Sequence, residues 1–241
     1  MISALHNGLR ILLASALGAG MGISVALATE PPGIASAAAD DVIAVQIRTE
    51  LGPITLALQA RRAPLTVANF LRYVDAGKYD GTSFYRTVRL NNQAASDIPI
   101  QVIQGGIYGP ALQSDASSVP KALPSIGHET TRQTGLKHVN GVISLARAAP
   151  GSASSEFFIC IGDNPALDFG GMRNPDGQGF AAFGEVTAGM DVVRQIHARA
   201  SNSPLPDSMR AMSGQVLEQP VLILSVERIA VPVVRAGDSP R

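Results

Sequence analysis

A mostly β fold, closed into a barrel with helices over its open ends, is what the hydropathy pattern of this chain predicts. Three observations carry that expectation. β-rich apolar runs recur from residue 42 to residue 228, Gly- and Pro-containing turns separate them, and only two segments show the period of an amphipathic helix. Many short strands with two such helices make one core when the sheet closes and the helices cover its ends.

The elements follow in order. Residues 42–49 and 54–58 flank Leu51-Gly52-Pro53, a turn sequence that joins antiparallel strands. After Pro64, apolar residues fall at Val67, Phe70, Leu71 and Val74, one face of a helix, and Gly77 stops it. Strands are expected at 82–88, 102–104, 142–146, 157–161, 181–186 and 221–228, and a second helix at 190–198 with Val193, Ile196 and His197 on one side. Segments 89–100, 107–127, 170–179 and 199–219 read as loops joining runs that share one core, so residues 42–231 form a single domain.

Composition narrows the function. A chain of 241 residues that is 46% hydrophobic can bury one substantial core, and its net charge of +0 lacks the cationic excess that nucleic acid or a charged membrane surface requires. His6 and Arg10 precede an uncharged apolar run over 11–28 that ends in Ala26-Leu27-Ala28. This reads as an export signal cleaved after Ala28, followed by a flexible leader over 29–41. The alternative is an uncleaved membrane anchor, which the glycines at 18, 20 and 22 weaken. Residues 232–241 read as a flexible tail. Cys160 is the single cysteine, so an intramolecular disulfide is impossible, and inside Phe157-Phe158-Ile159-Cys160-Ile161 it reads as core. The expected product is a periplasmic monomer.

Familiar chemistries find no footing. His128, His138 and His197 lack the short spacings of a zinc site, and no acidic cluster matches a calcium loop. Gly105-Gly106-Ile107-Tyr108-Gly109 is glycine-rich but is followed by neither the lysine nor the helix start of a phosphate loop. Glu156, Asp163 and Asp168 are the carboxylates available to an acid/base pair, with no spacing that joins them.

Three blocks point elsewhere: Phe84-Tyr85-Arg86, Ile103-Gln104-Gly105-Gly106 and Ser154-Ser155-Glu156-Phe157-Phe158-Ile159. With Gly141-Val142-Ile143-Ser144-Leu145-Ala146, Leu167-Asp168, and Phe183-Gly184-Glu185-Val186 ahead of Gly189-Met190-Asp191, they resemble, in order and spacing, the cyclophilin-type peptidyl-prolyl cis-trans isomerases. The resemblance runs from about residue 43 to residue 228. It implies an eight-stranded antiparallel barrel capped by two helices, no cofactor and no metal, and proline-containing extended polypeptides as partners. It also implies that Arg86 is the catalytic cation and Gln104 the acceptor that holds it. Phe158, Leu167 and Val102 match the proline pocket, and the backbone of Ala146 and Arg147 matches the strand that pairs with substrate.

Departures from the family pattern fall inside the site. Gln101 stands where an aromatic residue is usual, Glu156 where glutamine is usual, Ala166 replaces an aromatic residue, and Phe180 replaces histidine or tyrosine. The segment around 90–99 is additional. These changes predict a pocket lacking one wall at Gln101, partly refilled by Phe180. They also predict a Glu156 carboxylate that clamps Arg86 or is compensated by Arg147, so that Glu156→Gln would raise turnover. The competing reading is a proline-peptide binder or chaperone that does not accelerate isomerisation.

Overall fold

The structure is a computed structural model that describes residues 42–93, 96–109, 121–205 and 207–230. The expected signal segment 1–28, the leader 29–41 and the tail 232–241 lie outside them. Eight strands alternate with helices: β1 (Val42–Thr49), β2 (Gly52–Gln59), α1 (Pro64–Asp75), β3 (Ser83–Val88), β4 (Val102–Gly106), α2 (Thr131–Thr134), β5 (Val142–Leu145), β6 (Phe157–Cys160), β7 (Ala181–Ala188), α3 (Met190–His197) and β8 (Val216–Arg228). The strands close a barrel in the order β1-β2-β7-β5-β6-β4-β3-β8, with antiparallel neighbours throughout. The predicted fold class is the observed one.

Local chemistry explains the elements that position the site. The β1–β2 hairpin pairs from Val42↔Gln59 to Thr49↔Gly52, and Thr49 Oγ1 tightens the turn by donating to the Gly52 carbonyl at 2.7 Å. Pro64 opens α1, where a backbone N–H would be orphaned anyway. The next two N–H groups, of Leu65 and Thr66, donate to the Glu129 carboxylate at 3.2 and 2.7 Å. A carboxylate there also meets the positive end of the helix dipole. The apolar face of α1 enters the barrel interior, where Phe70 meets Phe157 edge-on at 5.7 Å. Such an aromatic pair adds about 0.5–1.5 kcal/mol beyond the area it buries. α3 contributes Val192, Val193 and Ile196 to the same core.

Two elements differ from expectation. The four-residue α2 is too short to show a period. It is held by a Thr130 N–H bond to Gln133 Oε1 at 2.8 Å and ended by Gly135 at φ 69°. β8 begins at Val216 rather than at 221, so the end of the expected 199–219 loop is strand. Pro220 hides this in the sequence, because proline cannot donate to a ladder. The strand accommodates it in a bulge: Phe84 pairs with Val221 and Arg86 with Val216, leaving Tyr85 opposite residues 217–220. The bulge sets Gln215, just ahead of β8, beside Arg86.

Candidate active site

Alternation along β4 and β6 separates two apolar clusters. Ile103, Phe157 and Ile159 belong to the barrel core, whereas Val102, Phe158 and Cys160 face outward into a second cluster with Val88, Ile100, Leu167 and Phe180. Above the second cluster lies a groove of about 520 Å³. Arg86 pairs with Gln104 across β3 and β4, and Gln104 with Phe158 across β4 and β6, so the three residues form one row along the groove floor.

The Arg86 guanidinium is half-buried and held by two neutral amides. Its Nη1 donates to Gln104 Oε1 at 2.7 Å, while Nε and Nη2 donate to Gln215 Oε1 at 3.0 and 2.5 Å. Gln215 is itself fixed by donating to the Asn92 carbonyl at 3.1 Å. Of the five N–H groups of an arginine, one on each terminal nitrogen therefore has no acceptor among the described residues. Burial lowers the Arg86 pKa to about 10, with a smaller opposing contribution from Tyr85, so the group stays charged at neutral pH. Gln215 was not foreseen, since it stands far from Arg86 in the chain and only the β8 bulge brings the two together.

Behind Gln104 runs a hydrogen-bond chain. Gln104 Nε2 donates to Tyr85 Oη at 2.7 Å, and Tyr85 donates to Glu156 Oε2 at 2.6 Å. The other carboxylate oxygen, Oε1, accepts from the Tyr108 N–H and from Ser155 Oγ, both at 3.2 Å. Gly106, at φ 146°, makes room: a Cβ there would overlap the carboxylate. Burial pushes the Glu156 pKa up to about 7 against the hydrogen bonds that lower it. The expectation that Glu156 clamps Arg86 is thus corrected, because Glu156 reaches the guanidinium only through Tyr85 and Gln104. Arg147 does not compensate Glu156 either. It forms a two-pronged pair with Asp176 at 2.7 and 2.8 Å, donates to the Gly179 carbonyl, and lies over the Phe180 ring at 5.3 Å. Its side chain is fully covered while the residue stays half-exposed, so what Arg147 offers the groove is main chain.

The pocket beside Arg86 is apolar. Phe158 and Phe180 meet edge-on at 5.4 Å, with Val102 and Leu167 completing the walls. Gln101 is not part of it. Strand alternation turns Gln101 away, its backbone bonds Asn164 and Ile161, and Ile100 supplies the wall. The alternation Ile100, Val102, Gln104 was the signal that identifies Ile100. Beneath the pocket, the buried His138 ring stacks on Phe158 at 5.9 Å. His138 Nδ1 lies 2.9 Å from Asp168 Oδ1 and Nε2 3.0 Å from Ser144 Oγ. A carboxylate only accepts, so Nδ1 carries the proton, and burial, which lowers the pKa of His138, keeps the ring neutral. Ser, His and Asp in this order evoke a nucleophilic triad, yet Ser144 is completely buried and out of reach of any acyl group. The network is a floor for Phe158.

Barrel and groove together define a protein of the cyclophilin class. A cyclophilin-type isomerase of Cryptosporidium parvum, solved in the presence of the dipeptide Ala-Pro, superposes with a TM-score of 0.57 at 19% identity, covering 78% of this chain and 99% of that one. A sequence model of the family "Cyclophilin type peptidyl-prolyl cis-trans isomerase/CLD" matches residues 44–228. Peptidyl-prolyl cis-trans isomerases of Streptomyces antibioticus and Acinetobacter baylyi are 39% and 34% identical over 63% and 76% of this chain, and over 81% and 84% of their own lengths. The chain belongs to the cyclophilin-type peptidyl-prolyl cis-trans isomerases, a family of enzymes.

Proposed function

We propose that this protein accelerates rotation about Xaa-Pro bonds in exported polypeptides, with Arg86 stabilising the twisted peptide bond and Phe158, Val102, Leu167 and Phe180 receiving the proline ring. The observation that carries this reading is the Arg86 guanidinium, fixed by Gln104 and Gln215 with two N–H groups left over. A planar amide resists rotation by about 18–20 kcal/mol because its nitrogen lone pair is delocalised. As the bond twists, that lone pair localises and becomes an acceptor. A fixed N–H donor therefore binds the twisted state better than either planar isomer, and this difference is what lowers the barrier. Because both acceptors on Arg86 are neutral, the charge is undiminished within the groove.

Substrate enters as an extended chain and pairs as an added strand with the Ala146 carbonyl and the Arg147 main chain, the Ala146 N–H being bonded to the Glu156 carbonyl at 2.8 Å. The signal-like segment 1–28 supports export to the periplasm, and the balanced charge argues against binding to nucleic acid or a charged membrane surface. If so, the exported protein has a mass that begins at residue 29; retention of residues 1–28 would contradict this.

The test is cis/trans exchange of Ala-Pro and Phe-Pro peptides, followed by NMR with purified residues 29–241. The expected outcome is accelerated exchange. Peptide resonances that shift without acceleration would instead identify a proline-peptide binder. On the same peptides, Ile100→Ala is expected to weaken binding by about 1 kcal/mol, roughly fivefold, through lost apolar contact. Gln101→Ala should leave binding within about 0.5 kcal/mol of wild type. Equal effects of the two would return Gln101 to the pocket.

A further inference from the structure

Arg173 stands in the wall of the same groove and has no part in the chemistry above. It lies in the loop between Leu167 and β7. Its Nη1 donates to Gln93 Oε1 at 2.9 Å and to the Ile98 carbonyl at 2.6 Å, while Nε and Nη2 have no acceptor among the described residues. Both partners belong to the additional segment between β3 and β4, so that segment and the loop after Leu167 meet at this guanidinium and fix it at the groove. The residue is half-buried, which leaves part of it open to whatever occupies the groove.

The charge around it is unbalanced. Of the three arginines that line the groove, Arg147 is neutralised by Asp176. Among the described residues, Arg86 and Arg173 have only amide and carbonyl partners. Glu156 is the one carboxylate among the described lining residues, and its oxygens are occupied by Tyr85, Ser155 and the Tyr108 N–H. Burial dominates the lowered proton affinity of Arg86, and the like charge of Arg173 adds a small share. An anion brought in by a substrate would relieve this repulsion and find unoccupied N–H donors on Arg173.

We propose that Arg173 is an anion subsite, and that the polypeptides this groove prefers carry an aspartate or glutamate side chain within two residues of the proline. The proposal rests on the isomerase reading above and specifies its substrate class. A carboxylate placed there gains a charge-assisted hydrogen bond, worth modestly more than a surface ion pair because the site is partly shielded from water.

The test measures dissociation constants by NMR shift titration, so it does not depend on turnover. Peptides of the Ala-Pro series carry Glu, Gln or Lys at one or two residues on either side of that pair. The Glu peptide is expected to bind about two- to fivefold more tightly than its Gln isostere in at least one position, with Lys weakest and the advantage shrinking as salt is added. Arg173→Met should erase the Glu/Gln difference, and Arg173→Lys should retain part of it; thermal melts establish that both variants are folded. A Glu peptide no tighter than Gln at every position, a preference that survives Arg173→Met, or no binding by any peptide would overturn the subsite. Turnover of neutral peptides without an acidic preference would sink the subsite alone. An acidic preference without turnover would sink the catalytic reading alone.

Discussion

Glu156→Gln is expected to lower turnover by about tenfold, the scale of one charge-assisted hydrogen bond, and to remove a pH dependence that the wild type shows near neutrality. The carboxylate sits among donors only: Tyr85 Oη on one oxygen, Ser155 Oγ and the Tyr108 N–H on the other. Because an ionised carboxylate cannot donate, Tyr85 must give it its proton, and the phenol oxygen then accepts from Gln104 Nε2. That leaves Gln104 Oε1 facing Arg86, as observed. The ionisation of Glu156 thus fixes the direction of every hydrogen bond out to the guanidinium.

Protonating Glu156 reverses the chain. The new O–H belongs on Oε2, since Oε1 faces donors, so it donates to Tyr85 Oη. Tyr85 then donates to Gln104 Oε1, and Gln104 turns its NH₂ toward Arg86. A glutamine at 156 does the same at every pH, with its carbonyl toward the Tyr108 N–H and its amide toward Tyr85. The neighbouring phenols of Tyr79 and Tyr85 are raised by burial and by Glu156, and stay protonated throughout. With Glu156 titrating at about 7, activity is full above that pH and falls as acid protonates it. It declines again as the medium passes about 10 and Arg86 loses its charge. A profile of kcat/KM from pH 5.5 to 10.5 tests this. Tyr85→Phe, which keeps the ring and removes the relay, should give a reduced rate that is flat through pH 7. A wild-type profile flat through pH 7, or a Glu156→Gln variant faster than wild type, would refute the relay.

The sequence carried more of the barrel than of the site's wiring, for physical reasons. Strand alternation is local, so Phe157 in the core and Phe158 in the groove could be read from two adjacent letters, and α1 from the spacing of Val67, Phe70, Leu71 and Val74. Gln215 was hidden because its place beside Arg86 depends on a bulge that absorbs Pro220 in β8. The pairing of Tyr85 with Glu156 joins β3 to the start of β6 and leaves no periodic trace. Gln101 was placed in the pocket by its distance from Gln104 in the family pattern, whereas the period of the strand assigns that wall to Ile100. Arg173 became visible only where its loop meets the segment between β3 and β4.

The largest single effect belongs to Arg86. Removing one fixed donor aimed at charge that develops in a transition state costs about 2.7–4 kcal/mol, or roughly 10²–10³ in rate. The cost should fall on kcat, because a planar peptide bond offers that donor little to bind, while the apolar pocket still holds the ring. Arg86→Lys should recover little, since a point charge on a flexible stem cannot engage Gln104 and Gln215 as the planar fork does. The measurement that decides is NMR exchange of an Ala-Pro peptide with wild type and folded Arg86→Ala, separating kcat from KM. The expected result is a kcat lower by about 10²–10³ with KM nearly unchanged. A kcat within a fewfold of wild type, or a loss confined to KM, would contradict it.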